Sequence, residues 1–276
     1  MDKINIGGQD VYYIDSDDPV VYYLKKGVLY GESNFKLLDQ LIFQASGTIL
    51  DCGSHIGTFA IPASKTYDVV CVEGATDNCK CLFLTFKDKD NVKVVIRPLA
   101  EKVKNCSFST DDGPFGMLVE DENGSYTTTT IDEIVEDHKI SDLVGIKLDI
   151  EGGEINALLG AQTTLSKQCP PMLVEVNGHC LRLNGKLPQD LFGVIDSLGY
   201  NIYLYINGHI IQINPKKKYP FCVSDVMCIH KSKIELYSPV FQNAREMTDD
   251  EIAMFLDLNY KNSNQDCKNY FDTIRN

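Results

Sequence analysis

The sequence predicts an α/β fold: a doubly wound, mostly parallel seven-stranded sheet of Rossmann-like type, with a terminal antiparallel hairpin. Three observations carry this. Apolar, β-branched runs alternate with amphipathic helical segments from about residue 31 to residue 200. The first central run, ILDCGSHIG at 49–57, ends in an acid and a turn bracketed by Gly53 and Gly57, which reads as strand, tight turn, helix. Finally, Asn207 and Gly208 sit between two apolar runs, a strong short-range hairpin signal.

At 276 residues, 43% of them hydrophobic, the chain is long enough for one large α/β domain with additions. The composition divides it into a β extension at 1–30, a main domain at 31–232 and a polar C-terminal appendage at 233–276. A net charge of -13 argues against a sequence-independent grip on nucleic acid, which needs clustered Lys and Arg to release counterions. Lys216, Lys217 and Lys218 form the only basic run and read as a solvated turn. The ten cysteines contain no CxxC pair, and Cys79 and Cys81 would lie on different helix faces, so buried free thiols in a reducing compartment are expected. The N-terminus has no apolar signal core and no 18 apolar residues run together, so the expectation is a cytoplasmic protein without a membrane partner.

The elements follow in order. DVYYI and VVYYL, separated by DSDDP, suggest a pair of strands at 10–24, whose tyrosines serve packing or a platform for a sugar ring. The spacing of Phe35, Leu37, Leu38, Leu41 and Ile42 predicts a helix stopped by Gly47. After the first central strand and its turn, a short helix reaches about residue 65, with Pro62 tolerable in its first turn. DVVCVEG at 68–74 is a second strand, and Cys79, Leu82, Phe83 and Phe86 mark the buried face of a helix over 76–89. A third strand runs over 91–97. Residues 105–127, rich in Ser, Thr, Asp and Gly around Phe115, Met117 and Leu118, read as a hairpin or flap. Thr130 and Glu133 have the spacing of a capping box opening a helix to about His138.

Then LVGIKLDIEGGEINALLGA at 143–161 gives a buried strand and a helix with Ile155, Leu158, Leu159 and Leu165 inward. A fifth strand, 171–178, precedes a helix at 188–198 closed by Gly199; the hairpin, a last strand at 221–230 and a helix at 249–258 complete the chain.

Chemistry-bearing residues gather where these strands end. The turn offers Asp51, Gly53, Ser54, His55 and Gly57; Glu73 and Gly74 follow about 20 residues on, where a carboxylate can accept from ribose hydroxyls. A plain βα turn would show the same residues. Because GxGxxG is not met, a nucleoside ligand without phosphates fits the turn better than a dinucleotide. Ala100, after the third strand, suits an adenine ring or a core equally well. Strand alternation projects Lys147, Asp149 and Glu151 to one side, with Glu154 just beyond, and such charges are costly to desolvate without a purpose. Glu151 and Glu154 also suit a helix start through the macrodipole alone. Glu175, Asn177 and His179 stand at the end of the fifth strand.

DCGSHIG, VCVEG, RPLAEK, TTTTIDEI, IKLDIEGGEINALLGA and MLVEVNG, in this order and over roughly residues 30–230, resemble the FkbM family of S-adenosylmethionine-dependent methyltransferases. The resemblance implies a class I methyltransferase fold, S-adenosylmethionine as cofactor, and O-methyl transfer to a sugar, glycan or other small hydroxylated acceptor. Position by position it implies Asp51, Gly53 and Gly57 for the cofactor turn, Glu73 for the ribose and Ala100 for the adenine side, with Ser54, His55 and Gly74 as further cofactor-binding candidates in the same stretches. Lys147, Asp149, Glu151 and Glu154 match the acidic motif. His55 and Ser54 stand where the family usually has Asn and Ala.

On this reading Asp149 is the base or electrostatic anchor and also touches cofactor. Lys147 steadies an alkoxide or fixes Asp149, and His179 is an alternative base. Glu151, Glu154 and Glu175 are acceptor-side or metal candidates, with no spacing that fixes a divalent cation. An RNA ribose 2′-O-methyltransferase and a catalytically inactive binding module stay open as alternatives, and the oligomeric state is open.

Overall fold

The computed structural model describes residues 1–109, 117–206, 208–219 and 223–253. It opens with a hairpin, β1 (Asp2–Ile6) and β2 (Gln9–Tyr13), turned by Gly7 and Gly8. The sequence pairs DVYYI with VVYYL, whereas here DVYY pairs back onto DKINI and VVYYL lies in a helix, α1 (Pro19–Lys25). Helix-start chemistry wins over β-propensity: the Asp18 carboxylate accepts from Val20 N at 2.6 Å and Pro19 occupies the first turn. Val21 and Leu24 face inward, leaving Tyr22 and Tyr23 exposed.

Next come α2 (Glu32–Asp39), β3 (Thr48–Cys52), α3 (Ala60–Ala63), β4 (Asp68–Glu73), α4 (Thr76–Phe86) and β5 (Val92–Ile96). Phe83, expected on the buried face of α4, is 47% exposed, while Cys81 and Thr85 join Cys79, Leu82 and Phe86 inside. The reason is the hairpin, which covers a second face of α4: Tyr12 N donates to Thr85 Oγ1 at 3.0 Å and Gln9 Nε2 to Thr85 O at 2.6 Å.

The expected flap is a separate antiparallel sheet of β6 (Asn105–Ser109), β7 (Met117–Glu120) and β8 (Tyr126–Thr127), in the order β7-β6-β8; Phe115 lies outside the described residues. In α5 (Ile131–Asp137) only one arm of the capping box forms. Glu133 N donates to Thr130 Oγ1 at 2.9 Å, but the Glu133 carboxylate turns to the Thr129 hydroxyl at 2.5 Å and to Arg97 at 3.4 Å. Thr130→Ala is expected to cost about 1 kcal/mol of stability by urea unfolding, the ordinary value of an N-cap.

Beyond β9 (Leu143–Leu148) the single expected helix is two, α6 (Glu154–Leu159) and α7 (Gln162–Gln168). The break falls at Gly160, where a Cβ would stand 2.5 Å from Ala100 O. Asp132 of α5 accepts there from Thr163 N and Thr164 N, at 3.0 and 2.7 Å, and so caps the second helix. Then follow β10 (Met172–Asn177), an unexpected short helix α8 (Gly178–Leu183), α9 (Pro188–Ser197), the hairpin β11 (Tyr200–Ile206) and β12 (His209–Ile213), and β13 (Val223–His230). A 3₁₀ turn (Lys231–Leu236) leads to α10 (Pro239–Gln242), where Tyr237 Oη donates to Leu41 O at 3.0 Å. Of the helix expected at 249–258, residues 249–253 are helical and the rest lie outside the described residues.

The main sheet has the order β12-β11-β13-β10-β9-β3-β4-β5. From β10 to β5 neighbours are parallel, β13 runs antiparallel to both β10 and β11, and the return strand β12 brings the count to eight. This is the doubly wound, Rossmann-like α/β fold. Leu50, Ile146 and Val174 belong to the core under α5, α6 and α9; Ile49, Val69 and Leu173 belong to the core on the other face, with Leu38, Ile61 and Leu82. The chain leaves β3 toward β5 in one direction and toward β10 in the other. The junction of β3 and β9 is therefore the switch point of the sheet, where such folds open a crevice beyond the strand ends. Among the described residues every cysteine is a free thiol, and no helix is long and apolar enough to cross a membrane.

Candidate active site

Pairing of β3 with β9 sets Asp51 beside Lys147, and Asp149 N donates to Cys52 O at 3.1 Å. The glycine turn is thereby drawn against the KxDxE segment. Gly53 has φ +79°, and a Cβ on it would lie 1.7 Å from Asp149 O, so the neighbouring strand itself imposes glycine here. Amides of Gly53 and Ser54 donate to Val72 O, and Ser54 Oγ donates to Asp51 O at 2.6 Å. His55, at φ +50°, gives its backbone N–H to Glu73 Oε2 at 2.8 Å; Ala75 N–H goes to Glu73 Oε1 at the same distance. Gly74 is half-buried beside it. The His55 ring reaches outward, placing Nε2 3.3 Å from Asp18 Oδ2.

Lys147 is 6% exposed and serves three oxygens: Gly53 O at 2.7 Å, Asp149 Oδ2 at 3.2 Å and Asp51 Oδ1 at 3.5 Å. Burial pushes its pKa down, but Asp149 and Asp51 outweigh that and raise it, so the ammonium stays charged. Burial raises the Asp51 carboxyl, with Lys147 pulling the other way. Asp51 is fully buried and neither of its oxygens has a hydrogen-bond partner among the described residues, so Lys147 is its compensation. Of the two roles the sequence allows Lys147, fixing Asp149 is the one these contacts display.

A second layer of acids surrounds this pair. Glu151, at φ +53°, accepts from Asn177 Nδ2 at 3.0 Å and Cys180 Sγ at 3.2 Å; burial and then Asp149 raise its carboxyl. Glu175 is pushed up to about 10 by burial, with Asp149 and Glu151 adding to it. Single oxygens of Asp149, Glu151 and Glu175 all lie within 4.8 Å of one another. Glu154, grouped with them by sequence, does something else. It is fully buried and accepts through Oε1 from Ile150 N at 3.0 Å and Gly152 N at 3.1 Å, stapling the loop that carries Glu151, and burial pushes its carboxyl up to about 7.

Raised carboxyl pKa values have a pH signature. Below the ordinary carboxylate range both folded and unfolded chains hold the Glu175 proton, and the group is neutral to stability. Above it the unfolded chain releases the proton while the folded chain keeps it, so stability falls as pH rises toward about 10. Glu175→Gln is therefore expected to raise the Tm more at pH 8 than at pH 5; equal shifts at both would contradict the buried, proton-retaining carboxyl.

Two other sequence candidates bring no side-chain hydrogen bond to this cluster among the described residues. His179 is in the first turn of α8, and its recorded bond is a backbone one, N–H to the capping Asn177 Oδ1 at 3.2 Å. Ala100 is 2% exposed, with its N–H on Thr129 O and its carbonyl facing Gly160.

The structure also adds residues that the sequence reading missed. Asp225 of β13 stands opposite Glu175 of β10, and burial with Asp149 pushes it up to about 6. Asn34 of α2 donates to Asp225 Oδ2 at 3.2 Å. The Tyr30 phenol is raised by burial and then by the charges of Glu175, Asp149 and Asp225. Its ring centroid is 5.8 Å from that of Tyr23. A lone acid within the apolar run VSDVMCIH was the available signal for Asp225.

Residues 51–202 match the family model described as the methyltransferase FkbM domain. No curated protein matches the chain. Among solved structures, a methyltransferase FkbM from Methylobacillus flagellatus is 21% identical with a TM-score of 0.44, over 68% of this chain and 44% of that one, so this chain spans under half of its length. A putative methyltransferase from Streptococcus mutans in complex with SAH gives 10% identity and a TM-score of 0.42, over 72% of this chain and 96% of that one. Fibrillarin from Aeropyrum pernix with bound S-adenosyl-L-methionine gives 13% and 0.42, over 72% and 74%.

Proposed function

The chain belongs to the FkbM methyltransferase family, and from that premise we propose that it is an S-adenosylmethionine-dependent O-methyltransferase acting on a hydroxyl of a sugar, glycan or other small acceptor. The observation that carries the reading is Asp149, 29% exposed at the rim and oriented by the buried Lys147, between the glycine turn and the carboxylate cluster.

The turn fits the cofactor. Each oxygen of Glu73 accepts one backbone amide and keeps a second lone pair for a ribose hydroxyl. His55 Nδ1 is buried without a hydrogen-bond partner among the described residues, polar capacity that a polar ligand satisfies. When bound, S-adenosylmethionine supplies the electrophilic methyl group. The chain supplies position and a proton acceptor: Lys147 fixes the Asp149 carboxylate at 3.2 Å, and that carboxylate takes the acceptor's hydroxyl proton. Orientation is worth roughly 7–11 kcal/mol in favourable cases, and a positioned base about 10²–10⁴ in rate.

Labelled methyl transfer from S-adenosylmethionine to a panel of glycans and glycosides, read by mass spectrometry, tests the reading. Ether-linked methyl product supports it. Saturable cofactor binding with no S-adenosylhomocysteine formed on any acceptor favours a binding module, and product only on RNA favours ribose 2′-O-methylation, against which the net charge of -13 argues. The oxygens of Asp149, Glu151 and Glu175 could also take a divalent cation. Loss of activity on chelation, restored by Mg²⁺, would give that cation a part in the reaction, and activity indifferent to chelator would give it none.

A further inference from the structure

One residue of the cofactor turn touches both sides of the site. The backbone of His55 donates to Glu73, the acid assigned to the ribose, while its ring lies 3.3 Å from Asp18. Asp18 opens the segment that ends at the acceptor side: it caps α1, and the chain then runs through Tyr23 and Tyr30 to Asn34, which bonds Asp225. The far end of this segment is also tied to the turn, since Gly31 N donates to Thr58 Oγ1 at 3.3 Å and a Cβ on Gly31 would stand 2.6 Å from Phe59 N. The segment is thus seated at both ends beside the glycine turn; its middle presents the exposed rings of Tyr23 and Tyr30, 5.8 Å apart, and its end bonds Asp225 of the acid cluster through Asn34.

We propose that residues 18–34 form the acceptor-recognition wall and that His55, through Asp18, is the positioning residue coupling this wall to the bound cofactor. The wall's chemistry, tyrosine faces on a segment bonded to an acid of the cluster, suits an acceptor with a hydroxylated ring, the ring face stacking and the hydroxyls donating. Cofactor seated on Glu73 fixes the His55 backbone, a fixed His55 ring holds Asp18, and Asp18 holds the start of α1. By linkage, an ordered segment must in turn tighten cofactor binding by the same factor. The inference rests on the cofactor reading of the turn.

The test needs no identified acceptor. S-adenosylhomocysteine is the probe, and the readouts are its Kd by calorimetry and hydrogen exchange over residues 19–31 in the full chain. The variants are Asp18→Asn, which keeps a good helix cap but loses the charge, and His55→Asn, which tolerates the positive φ. In the native chain the probe is expected to slow exchange over 19–31 by about 5-fold or more, the lower range of measured site couplings. In either variant that protection should vanish and the Kd should weaken by a comparable factor, and the double variant should be no weaker than the single ones. Equal protection in all three proteins, or none in the native chain with the probe bound, overturns the coupling while leaving the cofactor reading intact. No binding of the probe to the native chain overturns both.

Discussion

Lys147→Met is expected to destabilise the protein by about 3–5 kcal/mol in urea unfolding, the usual result of removing one partner from a buried ion pair. Asp51 is fully buried, without a hydrogen-bond partner among the described residues, and Lys147 is the compensating cation 3.5 Å away. The same substitution frees Gly53 O and Asp149, so the turn and β9 lose their side-chain tie together. Adding Asp51→Asn to Lys147→Met should recover a large part of the loss, because the stranded charge goes with it. A loss below about 1 kcal/mol for the single variant would put Lys147 in the class of solvent-screened pairs and remove its proposed role.

Asp149→Asn is expected to lower turnover at saturating cofactor by roughly 10²–10⁴, a loss beyond any change in the S-adenosylhomocysteine Kd. Asn keeps the shape and the 3.2 Å neighbour Lys147 but cannot take a proton at this position. Initial rates at saturating cofactor, with calorimetry on the same preparations, separate the two quantities. Full turnover with normal cofactor affinity would exclude Asp149 as base and as anchor, and would move attention to His179.

Much of the fold was legible because its signals are local. Thr48–Cys52, Asp68–Glu73 and Leu143–Leu148 are apolar runs that bury nearly every residue, and their order with the intervening helices leaves few topologies. The Asp51–Gly57 turn and the KLDIE segment were legible for the same reason, and their contact across β3 and β9 follows from strand order. What escaped was set by distant partners. Phe83 is exposed and Cys81 buried because a hairpin from the other end of the sequence lies on α4. Gly160 breaks a helix because Ala100 passes close to it. Asp225 and Asn34 enter the site through a contact between segments far apart in the chain, and no periodicity within either announces the meeting. Even a local signal was outweighed once, where Asp18 and Pro19 turned a strand-like VVYYL into a helix.

The reversed strand β13 has a consequence for biosynthesis. Among the described residues β11 joins the rest of the sheet through β13 alone, and β13 follows β11 and β12 in the chain. The β11–β12 hairpin can therefore form on its own as it leaves the ribosome, yet it has nowhere to dock until residues 223–230 have been made. Until then β10 is an open edge carrying Glu175 and Asn177, and the acids meet Asp225 only when that edge closes. Assembly of the site is thus the last event of sheet formation: nascent chains stalled before residue 223 should be the aggregation-prone species, and chains released after residue 230 the first to bind cofactor with the full carboxylate set in place.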